Sequence, residues 1–400
     1  MVAPLRRPDF RWLTLGVLLN SVGMMGEVVV LGWLALELTD SPFLVGVALG
    51  ARMLPLFFAG VPAGALADRF PRRRLLMLTG AGQALTAAAL GGLVLLHLAS
   101  LAGLVLLTLA AGVFRAIEHA ARQGYTHDVV GAAALVNGLA VLGVAMRVGW
   151  LLGSLAVGAV IAGLGSGPAY LLVAAGFLAG GAALVPGPVP ERAAASAPGS
   201  VWAGAVAFAA AVGRDRALLL LMALTAGAEV LGFAHQAVLP SLARDVLGGG
   251  PETLGALSAA RAVGGILGLG VVWWRGPARG GGAIFLVVLS SFGLSLVGLG
   301  VAPYALGLLG VLVVLVVVNA IGALADLLAQ SLMQLTVPAH LRGSAGGAWV
   351  VAIGLAPLGQ LQIGALASLF GVSVALGVSG IGLVALAGAA ALWFPRLRRL

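Results

Sequence analysis

Apolar residues run through this chain in blocks too long for single helices. Leu75–Phe114 is 40 residues without Asp, Glu, Lys or Arg, Val148–Pro190 is 43, Gly280–Ala325 is 46 and Gly343–Pro395 is 53. One membrane-crossing helix takes roughly 20 apolar residues. Each block therefore predicts two helices joined by a tight turn. His97–Ser100, Gly165–Pro168, Ala302–Pro303 and Phe370–Gly371 supply the turns. With the single spans added, the pattern predicts twelve helices, near residues 10–38, 43–67, 74–96, 100–121, 133–163, 168–186, 216–239, 252–274, 282–301, 304–335, 343–368 and 372–394.

Composition narrows this further. The chain has 400 residues, 61% of them hydrophobic and only 9% charged, whereas a soluble domain carries about 25% charge. That excludes an ordinary soluble enzyme and a disordered chain. There is no Cys, which excludes a disulfide scaffold, thiolate metal ligation and catalytic thiols. The 62 Gly follow no three-residue period, which excludes collagen. No cleavable signal peptide is evident, because the first apolar stretch flows into the next spans.

The charges that remain report topology. All 22 basic residues are Arg, set against 13 acidic ones. Seventeen of the 22 fall on one side of the twelve-helix layout. They are Arg6, Arg7 and Arg11; Arg69, Arg72, Arg73 and Arg74; Arg122; Arg192, Arg214 and Arg216; Arg275 and Arg279; Arg342; and Arg396, Arg398 and Arg399. The opposite side has only Arg244. Arg-rich loops stay in the cytoplasm, so this side is read as cytoplasmic, with both termini inside. Short clusters between apolar spans are not a nucleic-acid face, so no nucleic-acid partner is expected from the net charge of +9.

Pro186–Arg216 is the one long polar stretch, and it divides the chain into a bundle of residues 1–188, a linker 189–214 and a second bundle 215–400. The two halves repeat weakly. A shift of 209 residues aligns Ser41-Pro42 with Gly250-Pro251, Gly46 with Gly255 and Ala51-Arg52 with Ala260-Arg261. A shift of 211 aligns Gln123 with Gln334. A duplicated six-helix unit is a common transporter plan, with the substrate site where the repeats meet.

After the second span the chain reads Gly64-Ala-Leu-Ala-Asp68-Arg69-Phe-Pro71-Arg72-Arg73-Arg74. This resembles the G-x-x-x-D-R-x-G-R-R signature of the major facilitator superfamily, with Pro71 in place of the second Gly. Gly64, Asp68, Arg69, Arg72 and Arg73 are therefore read as a gating motif; the plainer alternative is that the Arg residues only set topology. The segments Gly32–Pro42, Ala121-Arg122-Gln123, Leu242–Gly248 and Val337–Gly343 are similar to the bacterial exporter branch that includes siderophore and macrolide exporters. The branch often carries Gly-Pro in helix 5, where this chain has Gly153-Ser154. The resemblance implies an all-α membrane protein of twelve helices in two pseudo-symmetric halves. It also implies a monomer in a bacterial inner membrane, with no cofactor and no enzymatic activity.

Charges inside a membrane cost roughly 2.5–3.5 kcal/mol each on insertion scales, so each is a functional candidate. The resemblance places helices 1, 4, 7 and 10 around a central cavity. Those helices carry Glu27, Arg115, Glu229 and Asp326. The 209-residue shift pairs Asn20 with Glu229 and Glu27 with Gln236, and the 211 shift pairs Arg115 with Asp326. Residues seven apart share a helix face, so each of helices 1 and 7 presents a carboxylate and an amide together. Burial favours the protonated form of a carboxylic acid and a neighbouring cation the ionised form, so Glu229 or Glu27 is a candidate proton carrier. The alternative for Glu27 is a static pair with Arg52 or Arg147.

Arg52 and Arg261 are pseudo-equivalent, and are structural or anion-binding candidates. Glu118 reads as a helix-face partner of Arg115 or Arg122. His235 is either a proton shuttle or a structural group. His97, His119, His127 and His340 form no metal cluster by spacing, and no phosphate-binding loop is present.

The expected function is secondary transport by alternating access. The favoured form is proton-coupled export of an amphipathic or hydrophobic small molecule, with membrane lipids as surroundings. Lipid or lysolipid transport, solute uptake, and a non-transporting sensor or scaffold are the alternatives.

Overall fold

Helices occupy each predicted apolar segment. In the computed structural model, residues 3–131, 134–186, 213, 215–275, 281–336 and 351–394 are described. The linker 189–214 apart from Gly213, the side chains of Asp68 and Arg275, the surroundings of Gly64, and Arg279, His340, Arg342, Arg396, Arg398 and Arg399 lie outside the described residues.

The first half contains α1 (Pro8–Thr39), α2 (Pro42–Arg69), α3 (Arg72–Leu95), α4 (Leu101–Val130), α5 (Leu135–Leu164) and α6 (Ser166–Ala182). The second half starts with α7, a span over Arg216–Val246, and α8 (Pro251–Arg275). A continuous stretch, Gly281–Thr336, is broken at Gly307 into α9 (281–306) and α10 (308–336). The last helices are α11 (Ala356–Phe370) and α12 (Val372–Trp393). Among the described residues, nine helical segments are long and apolar enough to cross a membrane, and Gly281–Leu335 is long enough for two crossings. Leu85 and Leu309 stay more than two-thirds exposed on helix surfaces, as side chains do when lipid is their solvent.

Two predicted boundaries move. The turn expected at Ala302–Pro303 does not form there: the helix passes through Pro303 and breaks at Gly307, with φ 62° and ψ −164°. An internal proline forfeits one backbone hydrogen bond and can kink a helix without ending it, whereas this backbone conformation is open essentially to glycine alone. Helix α4 also extends to Val130 instead of ending near residue 121. Arg122 and Asp128 thus continue the helix and serve as ion-pair partners.

Local chemistry sets the other ends. The Ser100 side chain caps α4 by accepting from the Gly103 N–H at 3.2 Å. Asp215 opens α7 by accepting from the amides of Ala217 (2.9 Å) and Leu218 (3.2 Å).

The helices gather into two compact units. The first holds residues 1–40, 51–198 and 249–259, and the second holds 41–50, 199–248 and 260–400. In the first, α1 packs on α5 and α6, and α3 on α4 and α6. Phe10, Leu13, Leu76, Tyr125, Val129 and Leu184 form a core at the Arg-rich end. In the second, Gly281–Thr336 packs on α12, and α11 on the middle of α7. Both units rely on glycine for a close helix crossing. A Cβ on Gly153 would stand 2.9 Å from Val22 Cα, and one on Gly359 would stand 2.6 Å from Val230 Cα. Small residues let helix backbones approach where lipid gives no hydrophobic drive to associate.

Candidate functional site

The first unit holds a buried ion cluster on three helices. Glu27 of α1, Arg52 of α2 and Arg115 of α4 are 4%, 6% and 7% exposed. Arg52 Nε donates to Glu27 Oε2 at 3.1 Å, and Arg115 Nη2 donates to the same oxygen. The two guanidinium groups also find backbone acceptors: Arg52 Nη2 donates to Met24 O at 3.0 Å and Arg115 Nη1 to Arg52 O at 3.2 Å. One carboxylate thus holds two cations. Tyr170 of α6 lies within electrostatic reach of Glu27, and its buried hydroxyl has no hydrogen-bond partner among the described residues.

The other first-half candidates lie elsewhere. Asn20 lines a water-sized cavity of about 20 Å³ together with Glu118 and Arg122. Glu118 Oε1 pairs with Arg122 Nε at 3.0 Å across one helical turn. The Arg147 guanidinium lies over the Trp150 ring at 5.7 Å from its centroid.

The Arg-rich end is tied together by side chains of the Gly64–Arg73 motif. Arg72 Nη1 donates to Asp128 Oδ1 at 2.7 Å and to Gly124 O at 3.2 Å, joining α3 to the end of α4. Arg73 donates to Leu184 O at 2.7 Å and to Val185 O, closing the carbonyl end of α6. Arg69 is exposed at the end of α2.

The second unit places its polar groups on a distorted helix. Helix α7 is regular over Arg216–Gly227, then π over Ala228–Gly232, 3₁₀ over Phe233–Val238 and π again over Leu242–Val246. Pro240 lacks the amide hydrogen that a regular helix would aim at the Gln236 carbonyl, and the Leu239 N–H takes that carbonyl instead. The pseudo-equivalent position in α1 is Leu31, and α1 is one α-helix throughout its 32 residues. Such distortions are frequent at functional sites.

Three polar relationships follow. Glu229 and Asp326 are near enough for their charges to interact. Arg261 Nη2 donates to Gln236 Oε1 at 2.9 Å. His235 is wholly buried, with Nδ1 2.8 Å from Gly232 O. A carbonyl only accepts, so Nδ1 carries the proton and Nε2 is left to accept from Asn319 Nδ2, 3.5 Å away.

Sequence reasoning overlooked Tyr170 and Asn319. Asn319 carries the only side-chain amide in the uncharged run Gly280–Ala325, which was a readable signal. Tyr170 had none, because nothing along the chain announces its approach to Glu27. Among the described residues no group of His, Asp or Glu is arranged to hold a metal ion.

No curated protein sequence matches the chain significantly. Solved structures match in fold. The nucleoside transporter NupG superposes with a TM-score of 0.78 at 12% identity, covering 96% of this chain and 100% of that one. A peptide transporter, POT, in complex with sulfate gives 0.77 at 16% identity, covering 98% and 95%. A bacterial homologue of the human lysosomal transporter Spinster gives 0.75 at 17% identity, covering 99% and 98%. The family profile described as Major Facilitator Superfamily matches residues 13–359. With a duplicated all-helical architecture and ionisable groups on the spans that the family resemblance singles out, the chain belongs to the major facilitator superfamily.

Proposed function

We propose that the protein is a secondary transporter of the bacterial inner membrane, exporting an amphipathic or hydrophobic small molecule in exchange for protons. The observation that carries this reading is the proximity of Glu229 and Asp326 on α7 and α10. Two carboxylates in a membrane span are costly. A carboxylic acid near a second carboxylate is suited to take up a proton and release it when the surroundings change.

Glu27 fits this role less well, because two guanidinium groups hold it in place. It is read as a structural counter-ion, with the coupling role moved to Glu229. The gating role stays with the Gly64–Arg73 motif, with Arg72 and Arg73 as its ties. Both termini are read as cytoplasmic and the protein as a monomer.

The test is flux in proteoliposomes under an imposed pH gradient. Candidate amphipathic compounds are first screened for stabilisation of the protein in detergent. The expected result is gradient-driven flux that Glu229→Gln uncouples from pH. Undiminished pH-gradient dependence in Glu229→Gln would sink the coupling assignment, and absence of flux under every energised gradient would favour a scaffold.

A further inference from the structure

The duplication places the same pair position in both halves, but only one half supplies a carboxylate there. The shift that carries Arg52 onto Arg261 also carries Glu27 onto Gln236. Both pairs are bonded, each across 25 residues of sequence: Arg52 to Glu27 at 3.1 Å and Arg261 to Gln236 at 2.9 Å. The pairing is kept, through Nε in the first half and Nη2 in the second, while the acceptor is a carboxylate in one and an amide in the other. An amide oxygen accepts hydrogen bonds but brings no negative charge.

The rest of the surroundings do not replace that charge. Arg261 Nε and Nη1 are buried and have no acceptor among the described residues. No carboxylate pairs with the guanidinium among those residues. Its polar neighbour His235 uses one nitrogen on the Gly232 carbonyl and is turned by the other toward the Asn319 amide. The Glu229–Asp326 pair is a separate cluster on the same unit.

We infer that Arg261 is the recognition point for an anionic head group on the transported molecule, with Gln236 holding the guanidinium in place and no internal carboxylate competing. The ligand class is an organic oxyanion, carboxylate or phosphate monoester, on an apolar body. Guanidinium is suited to this because its planar donors match oxyanion geometry and its charge persists inside the membrane. The inference rests on the transport reading for why a ligand arrives there, and it specifies which half of the duplication reads the charge. At Arg52 and Arg115 the shared Glu27 carboxylate competes with an anionic ligand, which favours the second half for that role.

The experiment is ligand binding to purified full-length protein in a non-ionic detergent, followed by tryptophan fluorescence and by thermal stabilisation. The probes are 1-naphthoate, 1-naphthyl phosphate, 1-naphthylmethanol and 1-naphthylmethylammonium. The expected result is that one or both anions bind and the neutral and cationic analogues do not. The two anions separate carboxylate from phosphate chemistry. Gln236→Glu recreates the first-half pair and supplies an internal counter-ion; it is expected to keep the protein folded and weaken anion binding by about tenfold or more. Arg261→Gln is expected to abolish binding.

Equal binding of the neutral or cationic probe, no anion binding to the wild-type protein, or undiminished anion binding in Gln236→Glu would each overturn the inference. Flux of a neutral or cationic solute that ignores Arg261 would overturn it while leaving the transport reading intact. Arg261-dependent anion binding without flux under any gradient would leave the anion site standing and remove the transport reading.

Discussion

Arg52 and Glu27 meet at 3.1 Å between α1 and α2, both buried. The same Glu27 oxygen also receives Arg115. Removing one partner of a buried pair strands the other charge, which costs about 3–5 kcal/mol. Glu27→Ala is therefore expected to lower the melting temperature in detergent more than Arg52→Ala, because it strands two cations. In a double-mutant cycle the Glu27→Ala/Arg52→Ala protein should lose less than the sum of the single losses. Additive losses would show that the two side chains are not coupled.

Arg72 and Arg73 are neighbours with different partners, and salt separates them. Arg72 reaches a partly exposed carboxylate on Asp128, whereas Arg73 reaches backbone carbonyls at the end of α6. A partly exposed ion pair contributes about 0.2–1 kcal/mol and is screened by salt. Asp128→Asn should lower stability at low ionic strength, with the difference from wild type shrinking in high salt. The loss from Arg73→Gln should persist across the same range, as read by melting temperature.

Glycines in these helices are not interchangeable. Gly153 and Gly359 face the backbones of Val22 and Val230 closely, while a Cβ on Gly377 meets nothing within 4 Å. Overpacking costs about 1–3 kcal/mol, whereas replacing Gly by Ala in a helix interior gains up to about 1 kcal/mol. Gly153→Ala and Gly359→Ala should each destabilise, and Gly377→Ala should be neutral or stabilising. A thermal melt of the three variants decides it.

Gly307 tests backbone strain separately from crowding. A Cβ there meets nothing within 4 Å, yet φ is 62°. The conformation itself costs a non-glycine residue about 1–3 kcal/mol. Gly307→Ala should therefore melt earlier than wild type despite the open space, and unchanged stability would show that the break is set elsewhere.

How much was legible in the sequence follows from which signals are local. Helix spans come from uninterrupted apolar runs, and these placed the helices where the residues are described, except that α4 runs nine residues past its expected end. Turn positions were less secure, because Pro303 and Gly307 are both breakers close together in the chain and only the backbone of this segment decides between them. The individual ionisable groups were legible too, since each interrupts an apolar run. Their partners were only partly so. The sequence offers Glu27 a partner in Arg52 or Arg147; Arg52 is the one that bonds it, and Arg115 joining them depends on how α4 packs on α1. Glu118 with Arg122 is a neighbour one turn along the same helix and needed no tertiary information. The duplication had supplied the correspondences that matter most here, Arg52 with Arg261 and Glu27 with Gln236, though not the bonds within each pair.

The distortion of α7 has a mechanical consequence. A helix with uniform hydrogen bonds resists bending along its whole length, whereas one that changes from α to π to 3₁₀ has places where bending costs little. Sequence duplication has left two related rods of different compliance: α1 is stiff over its full span, and α7 carries a joint beside Glu229, Gln236 and Pro240. A load applied to the second unit would be taken up at that joint, which lies among the residues assigned to the proton and the anion.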